Sequence, residues 1–267
     1  MRMRTLNPRV NLTRFFEQAE RAPARVLMLD YDGTIAPFQV HPELATPYFG
    51  VEALLNDIMA AERSRVVIVT GRPVGDLVPL LNLRWRPELW GAHGWERLLP
   101  DGRADRTRPG PHARRQLREG ARRARGLALA GARIENKPAS VALHWRGASP
   151  PAAAEIREAV PQLWGPLTTE GSVELQPFEC GVELTARGRS KGYAVRAVLS
   201  ETPGEAAVAY LGDDVADEDA FSAVKPRGLA VLVRPELRET TADAWIRPPG
   251  GLLAFLRRWR DAGGRQP

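Results

Sequence analysis

"RVLMLDYDG", Arg25 to Gly33, decides the fold. A short run of β-branched and long aliphatic residues leads into two aspartates and a glycine, the pattern of a buried strand that ends in polar chemistry. "RVVIVTGRP" (Arg65 to Pro73) repeats it, after an amphipathic helix over "VEALLNDIMAAER" (Val51 to Arg63) and before a helix that starts near Pro73. The same order returns near the C-terminus: "SKGYAVRAVLS" as helix, "AAVAYLGDD" as strand, "ADEDAFSAV" as helix, "GLAVLVR" as strand and "GLLAFLRRWR" as helix. Continuous apolar strands alternating with helices predict a parallel sheet covered on both faces.

The middle of the chain reads differently. From about Arg97 to Arg187 there are a hairpin-like "LLPDGRADR", a basic helix, a half-polar strand "ENKPASVALHWR", a helix "AAAEIREAVPQLW", and strands "SVELQPF" and "GVELTAR". Their polar and apolar alternation predicts an antiparallel sheet with one wet face. The expectation is a discontinuous α/β core, residues 1–100 and 188–267, interrupted by a smaller α/β domain over residues 101–187.

The chain has 267 residues, 43% of them hydrophobic, a net charge of +6 and a pI near 10.0. The densest basic run, "RRQLREGARRAR" (Arg114 to Arg125), has the spacing of an exposed amphipathic helix with Leu117, Ala121 and Ala124 on one side, and it lacks interleaved aromatics. A positive field that draws an anionic small molecule accounts for the charge without nucleic acid. A single cysteine, Cys180, excludes an internal disulfide, and there is neither a signal-like apolar run nor a membrane-length one. The expected setting is the cytoplasm, with no membrane or nucleic-acid partner and the oligomeric state left open. Of 38 basic residues only Lys137, Lys191 and Lys225 are lysine, so a lysine at a chemically suggestive position carries weight.

In open parallel sheets, ligands gather at the carboxyl ends of the strands. Three such ends are polar here: "LDYDGT" with Asp30 and Asp32, "VTGR" with Thr70 and the following N–H groups, and "LGDD" with Asp213 and Asp214. The last opens "LGDDVADEDAF", where five acids fall within seven residues; like charges so close repel by a few tenths of a kcal/mol per pair, unless water or a cation relieves them. Carboxylates from the first and third strand ends would form an oxygen-ligand Mg²⁺ site completed by a phosphate, with Lys191 of "GRSKG" and Thr70 complementing the phosphate charge. Asp217 and Glu218 suit the first turn of the next helix, and Asp219 is expected to be merely solvated.

Taken together and in this order, "DYDGT", "VTGR", Lys191 and "GDD" resemble the four motifs of the haloacid dehalogenase superfamily of phosphotransferases. "LGDDVADEDAF", "IENKPASVALHWR", "WGAHGWE" and "GVELTARGRSKG" are similar to segments of its trehalose-6-phosphate phosphatase family, and the likeness spans roughly residues 25 to 260. Ala216 departs from it, standing where the family usually has threonine. The resemblance implies a Rossmannoid α/β core with an inserted cap of type C2B, hinged near Asp101 and Gly188. It implies Mg²⁺-dependent hydrolysis of trehalose 6-phosphate to trehalose and phosphate, with Asp30 as nucleophile, Asp32 as general acid and base, and Lys191, Thr70 and Gly71 on the phosphate. The ion would be held by Asp30, the Asp32 carbonyl and Asp213; Asp214 either joins them or orients a water or Lys191. Arg72, His93, Glu135, Lys137, Arg146 and Glu183 would meet the substrate. The alternative within this chemistry is another sugar phosphate, of glucosylglycerol, mannosylglycerate or sucrose.

Overall fold

Residues 3–264 are described by the structure, a computed structural model. The first part of the chain gives β1 (Arg4–Thr5), α1 (Leu12–Arg21), β2 (Arg25–Leu29), α2 (Val51–Ala60), β3 (Ser64–Val69), α3 (Val74–Leu77), β4 (Glu88–Gly91), β5 (Glu96–Leu98) and β6 (Ala104–Arg106). The middle gives α4 (Pro111–Ala124), β7 (Arg133–Asn136), β8 (Ser140–His144), α5 (Pro150–Thr168), β9 (Val173–Phe178) and β10 (Gly181–Ala186). The last part gives α6 (Lys191–Ser200), β11 (Ala207–Gly212), α7 (Glu218–Val224), β12 (Leu229–Val233), β13 (Ala244–Ile246) and α8 (Gly250–Gly264).

All five residues of β2 are buried, because the strand lies at the middle of the large sheet, whose order is β1-β13-β12-β11-β2-β3-β4-β5-β6. The pairs from β13 through β4 are parallel, as the unbroken apolar strands predict. Leu27 and Leu29 face a core built with Phe16 of α1, Leu55 of α2 and Phe255 and Trp259 of α8. Val26 and Met28 face the opposite core, with Val195 and Val198 of α6 and Phe221 of α7. Connections leave β2 toward β3 on one side, while β11 pairs on its other side; this reversal opens a crevice at the strands' carboxyl ends.

Backbone contacts divide the chain into two compact units, 1–105 with 190–267, and 106–189. The "LLPDGRADR" hairpin forms β5 and β6 and extends the large sheet. The smaller unit is a sheet of order β7-β8-β10-β9, antiparallel throughout, with α4 and α5 against it. Here "ENKPASVALHWR" forms two strands rather than one: Pro138 has no N–H to continue a ladder, and the chain turns with Lys137 N–H donating to Ser140 O at 2.9 Å. α4 buries Ala113, Leu117, Gly120 and Ala124, so Gly120 takes the place expected of Ala121. A side chain at Gly120 would press on Leu184, and its carbonyl accepts from Trp164 Nε1 of α5 at 3.0 Å. No helix among the described residues is long and apolar enough to cross a membrane.

Candidate active site

Asp30 directly follows β2 and is 3% exposed; its N–H donates to Leu211 O of the neighbouring strand at 2.8 Å. Lys191 reaches it because Ser190 caps α6, accepting from Tyr193 N–H at 3.1 Å, and so sets Lys191 as the helix's first residue. The ammonium, 5% exposed, lies 2.9 Å from Asp30 Oδ1 and 2.8 Å from Asp217 Oδ1. Burial opposes its charge, but Asp217, Asp30 and Asp213 outweigh that and keep it firmly protonated. Burial also pushes Asp30 up, to about 7, against the pull of Lys191 and with the repulsion of Asp217 and Asp32. Asp213, fully enclosed beside Asp30 and Asp217, is raised well above the usual carboxylate range.

Asp30, Asp213 and Asp217 each bring a carboxylate oxygen within 4.8 Å of the others. They are not equivalent. Asp217 Oδ1 accepts from Lys191 and from Tyr210 O–H at 2.5 Å, and its Oδ2 accepts from the N–H groups of Asp213 (3.1 Å) and Asp214 (3.0 Å). Asp213 Oδ1 is buried with no hydrogen-bond partner among the described residues, while its Oδ2 lies 3.9 Å from Arg234 Nη1. A carboxylate with every acceptor site engaged is a structural anchor; a buried unmatched oxygen beside two other acids is a donor of the kind that suits a hard cation.

The acidic stretch therefore splits. Asp213 joins Asp30. Asp214 caps the short 3₁₀ turn Val215–Asp217, accepting from Val215 N–H at 2.8 Å, in a capping box with Asp217. Glu218 fixes the 238–241 loop, accepting from Thr240 and Thr241 hydroxyls and Thr241 N–H, each at 2.8 Å, and from Arg238. Asp219 is not merely solvated: its Oδ2 accepts from Gly192 N–H at 3.0 Å, holding the start of α6 next to Lys191. Ala216 lies between these anchors, and the turn is capped without a hydroxyl there. Sequence reasoning missed Asp217 as a partner of the lysine and Tyr210 as a partner of Asp217. The available signal was the four-residue return from Asp213 to Asp217, which brings a second carboxylate back to the strand end.

Asp32 is bound bidentately by Arg72, Nε to Oδ2 at 2.6 Å and Nη2 to Oδ1 at 2.7 Å, while Arg72 Nη1 donates to Pro42 O at 2.9 Å. Gly33, directly after Asp32, has φ +77°, and a Cβ there would collide with the Asp213 carboxylate. Thr70 is buried after β3, and its hydroxyl accepts from Arg72 N–H at 3.1 Å. Ala92, His93 and Gly94 take φ of 49°, 54° and 90°, three left-handed residues in succession. They are pinned by Ala92 N–H to Arg72 O (2.7 Å) and His93 N–H to Thr70 O (3.1 Å). The His93 ring lies over Gly71, where a Cβ would sit 2.7 Å from Cε1. Thr70, Gly71, Arg72 and His93 are thus one constellation; backbone strain of this kind collects where a ligand is gripped.

The smaller unit assembles its own polar face. Across its sheet Glu135 pairs in register with Ala142, and Ala142 with Glu183. Glu183 is 4% exposed and accepts from Ser140 Oγ, with Lys137 Nζ 3.1 Å away. Glu135 Oε2 lies 2.9 Å from His144 Nε2 and 3.2 Å from Arg133 Nη1. Burial works against its charge, but the His144 hydrogen bond and the Lys137 charge prevail and bring it to about 2. Burial lowers His144 below the ordinary imidazole range, against the pull of Glu135, toward which its Nε2 points. Arg146 keeps apart, donating to Glu179 O at 3.2 Å at the β9–β10 turn.

A parallel α/β sheet with one buried aspartate after its central strand, a second two residues on, a buried lysine beside the first and a paired acid after the adjoining strand defines the aspartate-based phosphohydrolases of the haloacid dehalogenase class. A haloacid dehalogenase-like hydrolase from B. subtilis superposes with a TM-score of 0.63 at 16% identity, over 87% of this chain and 99% of that one. Within that class, the sequence profile of the trehalose-phosphatase family matches residues 28–243, and the chain belongs to that family. A trehalose-phosphate phosphatase of Mycobacterium marinum is 32% identical over 252 residues, 88% of this chain and 61% of the relative, so the chain spans about three fifths of the length of such curated relatives. The C-terminal domain of C. albicans trehalose-6-phosphate phosphatase shares the fold with a TM-score of 0.81 at 20% identity, over 96% of this chain and 99% of that one.

Proposed function

We propose that the chain hydrolyses trehalose 6-phosphate to trehalose and inorganic phosphate through an aspartyl phosphate on Asp30. The observation that carries this is the buried Asp30 carboxylate, whose Oδ1 is held by Lys191 next to the orphan oxygen of Asp213. With Oδ1 engaged, Oδ2 is the oxygen that attacks phosphorus; the bond from phosphorus to the sugar oxygen breaks, and Asp32 supplies the proton that the sugar oxygen takes up. A water molecule then attacks phosphorus, giving its proton to Asp32 and freeing Asp30. Thr70 and the Gly71 N–H meet phosphoryl oxygens, and Lys191 opposes their charge from the far side. Arg72 is the natural partner of the incoming phosphate: its move from Asp32 to the phosphate releases Asp32 for proton transfer.

The donor set fits Mg²⁺, with hard carboxylate oxygens and one of them buried and unmatched. Asp30, the Asp32 carbonyl and Asp213 would hold it, with Asp214 behind as the cap of the turn and Asp217 fully engaged elsewhere. Bound there, the ion would neutralise charge on the transferred phosphoryl group. In the smaller unit, Glu135, Lys137 and Glu183 form the hydrogen-bonding face that we assign to the sugar, with Arg146 of that unit and His93 of the larger one as further candidates; such groups discriminate sharply among hydroxyl patterns. The single cysteine favours a cytoplasmic setting.

Phosphate release from trehalose 6-phosphate, glucosylglycerol phosphate, mannosylglycerate phosphate and sucrose phosphate, measured with Mg²⁺, tests the reading. A preference for trehalose 6-phosphate is expected. Turnover of another of the four at higher kcat/KM would reassign the substrate, and Asp30→Asn retaining turnover would remove the nucleophile.

A further inference from the structure

Arg25 opens the central strand, five residues before Asp30 and so roughly 17 Å from it along the sheet. It is 2% exposed, and its Nε and Nη1 are buried without a hydrogen-bond partner among the described residues. The charge that acts on it is another cation, Arg63, whose backbone O accepts from Arg25 N–H at 3.1 Å and whose Nη2 donates to Ala22 O at 3.2 Å at the end of α1. Among the described residues no carboxylate pairs with Arg25, and burial first, then Arg63, pull it down to about 10. An isolated buried guanidinium is costly, and native proteins compensate such groups with a counter-charge.

The surroundings have the makings of an anion site. Ser64 is the cross-strand partner of Arg25 on β3, and its Oγ accepts from Trp259 Nε1 at 3.2 Å, which leaves the hydroxyl proton to donate. The last turn of α8 lies over the guanidinium at Gly263, where a Cβ would collide with Arg25 Nη2. The C-terminal end of that helix carries only partial negative charge, too little to balance two guanidinium groups. We propose that a small inorganic anion, halide or oxyanion, binds at Arg25 between Arg63 and Ser64, at the amino end of the sheet opposite the catalytic aspartates. The anion accepts from the guanidinium and the serine hydroxyl and ties β2, β3 and α8 together.

The test is thermal unfolding of the full chain at fixed ionic strength, with sodium gluconate, too bulky for a buried edge, replaced stepwise by sodium chloride or by sodium phosphate. The wild type should gain about 5–10 °C at a hundred times the dissociation constant, and Arg25→Met should lose that gain. Chloride acting without phosphate marks a halide-sized site, and phosphate acting without chloride an oxyanion site. A wild-type Tm that is indifferent to the exchange overturns the proposal, as does an equal gain in R25M, which would place the anion elsewhere. Should R25M fail to fold, Ser64→Ala must raise the half-saturating anion concentration several-fold, and bromide in crystals must lie within about 3.5 Å of the Arg25 guanidinium. Unchanged half-saturation, or bromide only elsewhere, refutes it.

Discussion

Lys191 bridges two buried carboxylates, at 2.9 Å to Asp30 and 2.8 Å to Asp217, and this fixes what its removal should do. Replacing it with methionine keeps the stem and deletes the charge, leaving Asp30, Asp213 and Asp217 buried with no cation between them; breaking a buried pair in this way costs about 3–5 kcal/mol. Asp217→Asn produces a different conflict. The amide must keep its oxygen toward the Asp213 and Asp214 N–H groups, which turns its NH₂ toward Lys191, donor against donor. In the double variant that conflict disappears: the NH₂ faces Tyr210, whose hydroxyl rotates to accept. Urea unfolding at pH 7 without divalent cations should therefore give a K191M/D217N protein more stable, by about 1–3 kcal/mol, than the sum of the single losses. Additivity within about 0.5 kcal/mol would show that the two side chains carry no shared energy, and the reading of Asp217 as the lysine's anchor would fall.

Three further outcomes follow from the same geometry. Gly33→Ala forces φ +77° on a residue with a Cβ and drives that atom into Asp213; calorimetry should show a loss of about 1–3 kcal/mol, together with loss of turnover. Glu135, held at about 2 against an ordinary 4.5, contributes stability above pH 4.5 that disappears as pH falls toward 2, at most about 3 kcal/mol; Glu135→Gln should flatten the acid limb of a stability profile in that window. Mg²⁺ at a hundred times its dissociation constant should stabilise the chelator-treated protein by about 2.7 kcal/mol, measured as a Tm shift that Asp213→Asn abolishes.

How far these expectations were legible beforehand depends on how local the physics is. Asp30, Thr70 and Asp213 are readable because each follows a buried parallel strand, and an unbroken apolar run closed by a polar residue identifies its own end. Lys191 was readable through its rarity and the Ser190 cap. The segment α1 escaped notice although Asn11 caps it, because its exposed arginines and glutamates obscure the two residues it buries, Phe16 and Ala19. The break at Pro138 follows from a missing N–H and was available; the half-polar pattern on either side hid it.

What no single segment encodes is the choice of partner among like groups. Thirty-eight basic residues accompany thirty-two acids, and the sequence does not say that Arg72 takes Asp32 with two hydrogen bonds while Arg25 leaves Nε and Nη1 without a partner among the described residues. The left-handed turn at Ala92 and His93 is equally silent, since non-glycine residues seldom adopt that conformation; Thr70 O and Arg72 O hold it from the segment after β3. These are the places where local preference is overruled by tertiary contacts. The acid stretch shows the same division within seven residues. Asp217 and Glu218 are spent on backbone N–H groups and neighbouring side chains, and only because they are does Asp213 keep a buried oxygen with nothing to bind. The crowding of charge is thus not one cluster of five equals but several anchors that hold Asp213 beside Asp30 with one oxygen unmatched among the described residues.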